Sequence, residues 1–251
     1  MRCRAGFSLV ELSIVLVILG LILGGVMVGQ SLIKSSELRS TISETQRYVA
    51  AYNQFRDKYD AIPGDMPNAT NYWGTATTCP GDSTHTQTTA ATCNGDGNGA
   101  VDNNGLNEKY LLWKHMADAG LIEGTYTGVP ASTSNTSSLA GTNCPKGKRK
   151  NVGYSAYYWQ YMSGDPNYPD GQYGNFFFVG GYSPNDVTVA GTFPASEVAD
   201  IDTKLDDGKP AFGKIRTNWN STNCVTATAT SSANYAVNVA GDNCIYLQLF
   251  Q

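Results

Sequence analysis

Histidine is nearly missing from this chain, with two among 251 residues, which leaves little material for a His-based metal centre or triad. Charge is scarce as well: Asp, Glu, Lys and Arg make up 15%, against about a quarter in ordinary soluble domains. Cations do not predominate, since Lys+Arg 17 face Asp+Glu 21 for a formal net charge of −4. That excludes a generally basic nucleic-acid binder and makes nucleic acid an unlikely partner, while leaving room for a local basic patch. No C-x-x-C pair occurs, which argues against a zinc ribbon, and no phosphate-binding glycine loop is found. No nucleophile has a base and an orienting group beside it, so the reading is non-enzymatic, with a membrane-anchored enzyme as the rival class. After the first thirty residues no long apolar run follows. What is present is 27 glycines, 10 prolines and 11% aromatics, a composition for β-structure, loops and a real core.

The one long apolar run covers Phe7 to Gly29, interrupted only by Ser8, Glu11 and Ser13. At about 1.5 Å per residue it spans roughly 35 Å, enough to cross a bilayer. A cleaved secretory signal fits poorly, because the run is too long, carries an acid near its start and lacks a small-x-small site. Arg2 and Arg4 precede the run, and positive flanks stay cytoplasmic, so the expectation is an inside N-terminus with all that follows Gly29 across the membrane. Glu11 is out of place there. A carboxylate within a spanning helix costs about 2.5–3.5 kcal/mol on insertion scales unless it is paired or reached by water.

Gly6-Phe7-Ser8-Leu9-Val10-Glu11-Leu12 resembles the signal of type IV pilins and type II secretion pseudopilins: a short basic leader, a glycine, a phenylalanine and a glutamate four residues on. The resemblance implies that a prepilin peptidase cuts between Gly6 and Phe7 and that the new amine of Phe7 is N-methylated. It also implies a bacterial inner-membrane, single-pass protein that passes into a periplasmic pseudopilus or a cell-surface pilus, with other pilin or pseudopilin subunits and inner-membrane assembly machinery as partners. Physically, Glu11 of one subunit then meets the Phe7 amine of its neighbour, and each charge removes much of the other's cost in an apolar filament core. Gly20/Gly24 and Gly25/Gly29 are spaced for close helix approach, though membrane helices often carry such glycines anyway.

Gln30 to Asp60 contains neither glycine nor proline, and Ile42, Val49, Tyr52, Phe55 and Tyr59 fall on one helical stripe before Pro63-Gly64 stops it. One helix of about fifty residues is expected, half in membrane and half packed on a domain. Beyond it, 175–179 and 244–250 read as strands, and Leu106 to Ala119 as a short helix with Gly120 as C′ glycine. Ser/Thr-rich stretches at 75–92, 132–142 and 226–232 read as surface loops. The fold class is therefore α+β: a long N-terminal helix on a loop-rich, mainly antiparallel β domain. Its division is a leader at 1–6, a transmembrane and filament-core helix at 7–29, an amphipathic half at 30–62, and an exported globular domain at 63–251. Three further segments, 62–70, 115–122 and 201–210, resemble large minor-pilin or pseudopilin-like subunits. The role so implied is a structural subunit, with a filament-tip adhesive or sugar- or DNA-binding subunit as the alternative.

Cys3 lies in the leader, and export makes disulfides possible among the five remaining cysteines. Cys79 with Cys93 and Cys224 with Cys244 are the economical pairs, leaving Cys144, although other pairings remain open. Asn94, Asp96, Asn98 and Asp102 stand at positions 1, 3, 5 and 9 of an EF-hand-like loop, with glycine at 6. Such spacing suits calcium, but Gly105 replaces the acid of position 12, and Glu108, a helical turn later, is the candidate substitute. The rival is a Gly/Asn/Asp turn with no ion. The cluster of Asp200, Asp202, Asp206 and Asp207 offers calcium a second set of oxygens, but reads rather as a solvated turn before Gly208. Lys146 to Lys150 is a compact basic run followed by Tyr154, Tyr157, Tyr158, Trp159 and Tyr161, read as an exposed loop ahead of a packed aromatic segment.

Overall fold

A computed structural model describes residues 8–76, 79, 92–102, 107–130, 137–184, 186–218, 223–227 and 233–250. The chain divides into two compact units, residues 1–40 and 41–251.

Helix α1 runs over Leu9–Tyr59, 51 residues without a break. In the first unit its apolar side chains are exposed, from Leu9 to Ile33, and none of the most apolar stretch is buried. This part is long and apolar enough to cross a membrane. Its first turn is closed by a capping box. Ser8 Oγ accepts the Val10 N–H at 3.3 Å, and the Glu11 carboxylate reaches back to accept the Ser8 N–H at 2.8 Å.

In the second unit, α1 buries Thr41, Glu44, Thr45, Tyr48, Ala51, Tyr52 and Phe55. The buried face is offset from the expected stripe, with Ile42, Val49 and Tyr59 only half-buried at its border. Polar residues hold its centre because each has a partner. Thr45 Oγ1 bonds to the Thr41 carbonyl at 3.0 Å and the Tyr246 hydroxyl at 2.6 Å, and Glu44 accepts the Tyr154 hydroxyl at 3.1 Å.

Among the described residues four strands follow, with short helices before and between them: α2 (Thr70–Trp73), α3 (Glu108–Asp118), β1 (Gly153–Met162), β2 (Gly171–Gly180), α4 (Ala195–Leu205), β3 (Ile215–Thr217) and β4 (Tyr246–Leu249). The sheet order is β1-β2-β4-β3, and every pair is antiparallel. Phe177 pairs with Gln248, and Val179 with Tyr246, on one face; Phe176 with Leu249, and Phe178 with Leu247, lie on the other. The first face meets the helices: Phe177 stacks on Trp113 of α3 at 4.7 Å, and Phe250 joins Tyr52 at 4.2 Å. The second carries its own cluster of Tyr173, Phe176, Phe178, Leu247 and Leu249, packed with Trp159. Cover on both faces explains the unalternated run Phe176-Phe177-Phe178-Val179, in which each side chain is worth about 1.5–3 kcal/mol of burial.

The α+β expectation holds in full, with α3 closing at Gly120 (φ +73) where the sequence put its C′ glycine. Leu121 N–H reaches the Met116 carbonyl and Gly120 N–H that of Ala117, a Schellman closure. The start expected at Leu106 lies outside the described residues. Several details need correction. Thr92, Ser137 and Ser138, taken as loop surface, are buried. Thr92 N–H pairs with the Gly74 carbonyl, and the Asn143 amide gathers the Ser137 and Val129 carbonyls. Asp202, taken as solvated, is buried on α4 for the reason given below.

Candidate functional site

The turn that ends α1 is built around Gly64, at φ +91. An added Cβ there would lie 2.4 Å from the Glu108 carbonyl oxygen and 2.9 Å from the Leu112 nitrogen, so only glycine lets the turn sit against α3. His115, one turn further along α3, accepts the Gly64 N–H on Nδ1 at 2.9 Å. That fixes the proton on Nε2, which donates to the Cys93 carbonyl at 2.9 Å. Both ring nitrogens are thus engaged, and the ring stacks near Phe55 and Trp73. Burial pushes the imidazole down to about 4, so His115 is a neutral brace with no nitrogen left for base catalysis.

Beside this turn three carboxylates converge. One oxygen each of Asp65, Asp96 and Glu108 lie within 4.8 Å of one another. Asp65 Oδ1 accepts the N–H groups of Gly97 (2.7 Å) and Asn98 (3.0 Å), and Oδ2 that of Gly99 (2.8 Å). Glu108, buried in the first turn of α3, accepts the N–H groups of Asp96 at 2.9 Å and Asp102 at 3.3 Å. The 94–102 loop therefore wraps its amides around two acids from outside it. Gly95 allows this closeness, since a Cβ would fall 2.4 Å from Asp65 Cα.

Burial raises the Glu108 carboxyl to about 8, partly offset by the two N–H donors and reinforced by Asp65 and Asp96. Asp65 also moves up, chiefly by burial. Such a cluster could hold a metal ion, because Asp65 Oδ2 and both Glu108 oxygens accept a single N–H each and keep a lone pair, and hard divalent cations select oxygen donors.

The residues read from the loop spacing are distributed as follows. Asp96 and Glu108 are in the cluster. Asn94 Oδ1 accepts the Thr70 N–H at 2.9 Å, while Asn98 binds Asp96 through N–H and Nδ2 and accepts the Ala100 N–H. Asp102 contributes its backbone N–H to Glu108. Asp65 was not foreseen as a ligand. It lies in the 62–70 segment, and only the fold brings it to the loop.

The structure joins Cys79 to Cys93 and Cys224 to Cys244, with Cα separations of 5.5 and 5.6 Å, and Cys144 is a buried free thiol. The first bridge adjoins the His115 brace. The second precedes β4, and its loop is pinned by Tyr235, whose hydroxyl donates to Asp202 Oδ2 at 2.7 Å. Burial raises Asp202 to about 7. Asp206 accepts the Lys214 and Ile215 N–H groups and so organises the turn into β3. Asp202, Asp206 and Asp207 form a second group close enough for a metal ion. Gly6 and Phe7 lie outside the described residues.

A family model described as the prokaryotic N-terminal methylation motif matches residues 1–27. No curated protein matches the chain, and no solved structure does.

Proposed function

We propose that this chain is a structural subunit of a bacterial type IV pilus or type II secretion pseudopilus, in the class of minor pilins and pseudopilins. The observation that carries this reading is the methylation motif at residues 1–27, continuous with an apolar helix whose side chains have no cover within the chain. An unburied apolar surface of that length calls for lipid or neighbouring helices. On this reading a prepilin peptidase cuts between Gly6 and Phe7 and the Phe7 amine is methylated. The subunit waits in the inner membrane with its N-terminus cytoplasmic and enters the filament as Glu11 meets a neighbour's Phe7 amine. The domain of residues 41–251 then forms the outer surface, and Asp65, Asp96 and Glu108 bind calcium, which neutralises their mutual repulsion. Mass spectrometry of the N-terminus from the native host tests this, since one spectrum reports both cut and methyl group. An unprocessed chain beginning at Met1 overturns it.

A further inference from the structure

The segment ahead of β1 is a tight turn. Gly147 N–H donates to the Val152 carbonyl at 2.8 Å, and Lys146 bridges to Gly153. Its backbone is held by Glu44, whose two oxygens accept the Lys148 N–H at 3.1 and 3.2 Å. Arg149 is drawn inwards, paired with Glu197 and 4.8 Å from the Phe193 ring centroid. Lys146, Lys148 and Lys150 are left exposed, and among the described residues no carboxylate lies within ion-pair distance of them.

These three lysines border a cleft of about 700 Å³, within the size range of ligand sites. Among the described residues none that lines it is acidic, although acids outnumber bases in the chain. Like charges fixed on a rigid turn produce a local positive potential on an acidic protein, and that potential selects anions. The remaining wall offers Tyr182, 51% exposed, together with Asn151 and Thr192. Gly181 and Gly191 also line it, and both sit tightly against their neighbours: a Cβ would lie 2.8 Å from Thr192 Cγ2 and 2.5 Å from the Asn243 backbone.

We propose that this cleft binds an acidic polysaccharide, a sugar chain bearing carboxylate groups. Ammonium groups are point charges without the guanidinium fork, so they accept anionic groups in many orientations along a polymer. The Tyr182 ring gives a sugar ring one flat apolar face, and the Asn151 amide and Thr192 hydroxyl suit sugar hydroxyls. A single-stranded nucleic acid is gripped by a succession of aromatic faces, and among the described residues Tyr182 is the one aromatic in this lining. The site lies within residues 41–251 and stands whether or not the chain assembles into filaments.

The test is fluorescence anisotropy of the full chain in detergent with a fluorescein-labelled polyuronate oligosaccharide of about ten sugars. The unmodified protein is expected to bind, with affinity falling as salt rises. Replacing Lys146, Lys148 and Lys150 together by alanine should weaken binding about tenfold or more and flatten the salt dependence. Tyr182→Ala should weaken binding while leaving the salt slope unchanged. If the triple variant melts early, Lys150→Glu alone is read in its place, with the same sign expected. Absence of binding, equal affinity in the lysine variants, or tighter binding of a single-stranded oligonucleotide of matched charge overturns the proposal.

Discussion

His115 Nδ1 and the Gly64 N–H, 51 residues apart in sequence, form a 2.9 Å hydrogen bond that fastens the end of α1 to α3. The turn has no spare room, because a Cβ at Gly64 meets backbone atoms of α3 and the local φ is positive. Gly64→Ala should therefore cost about 3 kcal/mol of unfolding free energy, from overpacking and a left-handed alanine together. Denaturant unfolding measures it, and a loss below about 1 kcal/mol would show that the turn yields.

The same imidazole sets an acid-side pH dependence. Its folded pKa of about 4 lies below the ordinary 6.5, so the unfolded chain takes up the proton first. Stability from this group is unaffected above pH 6.5, falls as pH drops from 6.5 to about 4, and levels off below. His115→Gln should flatten that part of the stability–pH curve, judged by the difference between the two proteins' thermal melts across pH 4 to 7.

Glu108 works in the opposite direction. Its folded pKa of about 8 lies above the ordinary 4.5, so the folded state is favoured while the group is protonated, below pH 4.5. That contribution is lost as pH rises from 4.5 to about 8. In chelator, Glu108→Gln should melt higher than the unmodified protein at pH 8. Added calcium should raise the melting temperature of the unmodified protein at pH 8 and leave the variant nearly unmoved. A melting temperature indifferent to calcium in both proteins removes the ion from the proposal.

Cys224 and Cys244 close a loop with a sequence separation of 20, anchored at its far side by Tyr235 on Asp202. Replacing both cysteines by serine should cost about 3 kcal/mol, read from denaturant midpoints under oxidising conditions. Tyr235→Phe leaves Asp202 buried without its donor and should cost about 1–3 kcal/mol.

Glu11 carries the assembly prediction. Glu11→Ala removes the carboxylate that closes the Ser8 capping box, a loss of about 1 kcal/mol at a helix of 51 residues. Membrane insertion should persist while incorporation into filaments drops, assayed by comparing membrane and sheared-filament fractions. Normal incorporation would rule out pairing between Glu11 and a neighbour's amine.

The elements with strong local periodicity were legible in the residues: α1, the Phe176–Val179 core of β2, β4, and the close of α3 at Gly120. What escaped had its signal masked by polar residues that the fold satisfies at long range. The buried face of α1 is centred on Thr41, Glu44 and Thr45, whose partners Tyr154 and Tyr246 lie over a hundred residues away. β1 was read only as a packed aromatic segment after a basic run, since half its alternation faces α1 and α3 and half a second cluster. α4 hid among acids, although Val198, Ile201 and Asp202 form its buried side. In the carboxylate cluster, Asp96 and Glu108 came from loop spacing, whereas Asp65 belongs to a turn that meets the loop only in three dimensions.

The placing of β4 between β2 and β3 has a bearing on how the domain is made. During synthesis β1 and β2 emerge together and can pair as a hairpin, but β3 emerges with its neighbour in the described sheet, β4, still to come. Among the described strands the sheet thus cannot be completed until the last one leaves the ribosome, and a chain halted before residue 246 lacks the strand that joins β2 to β3.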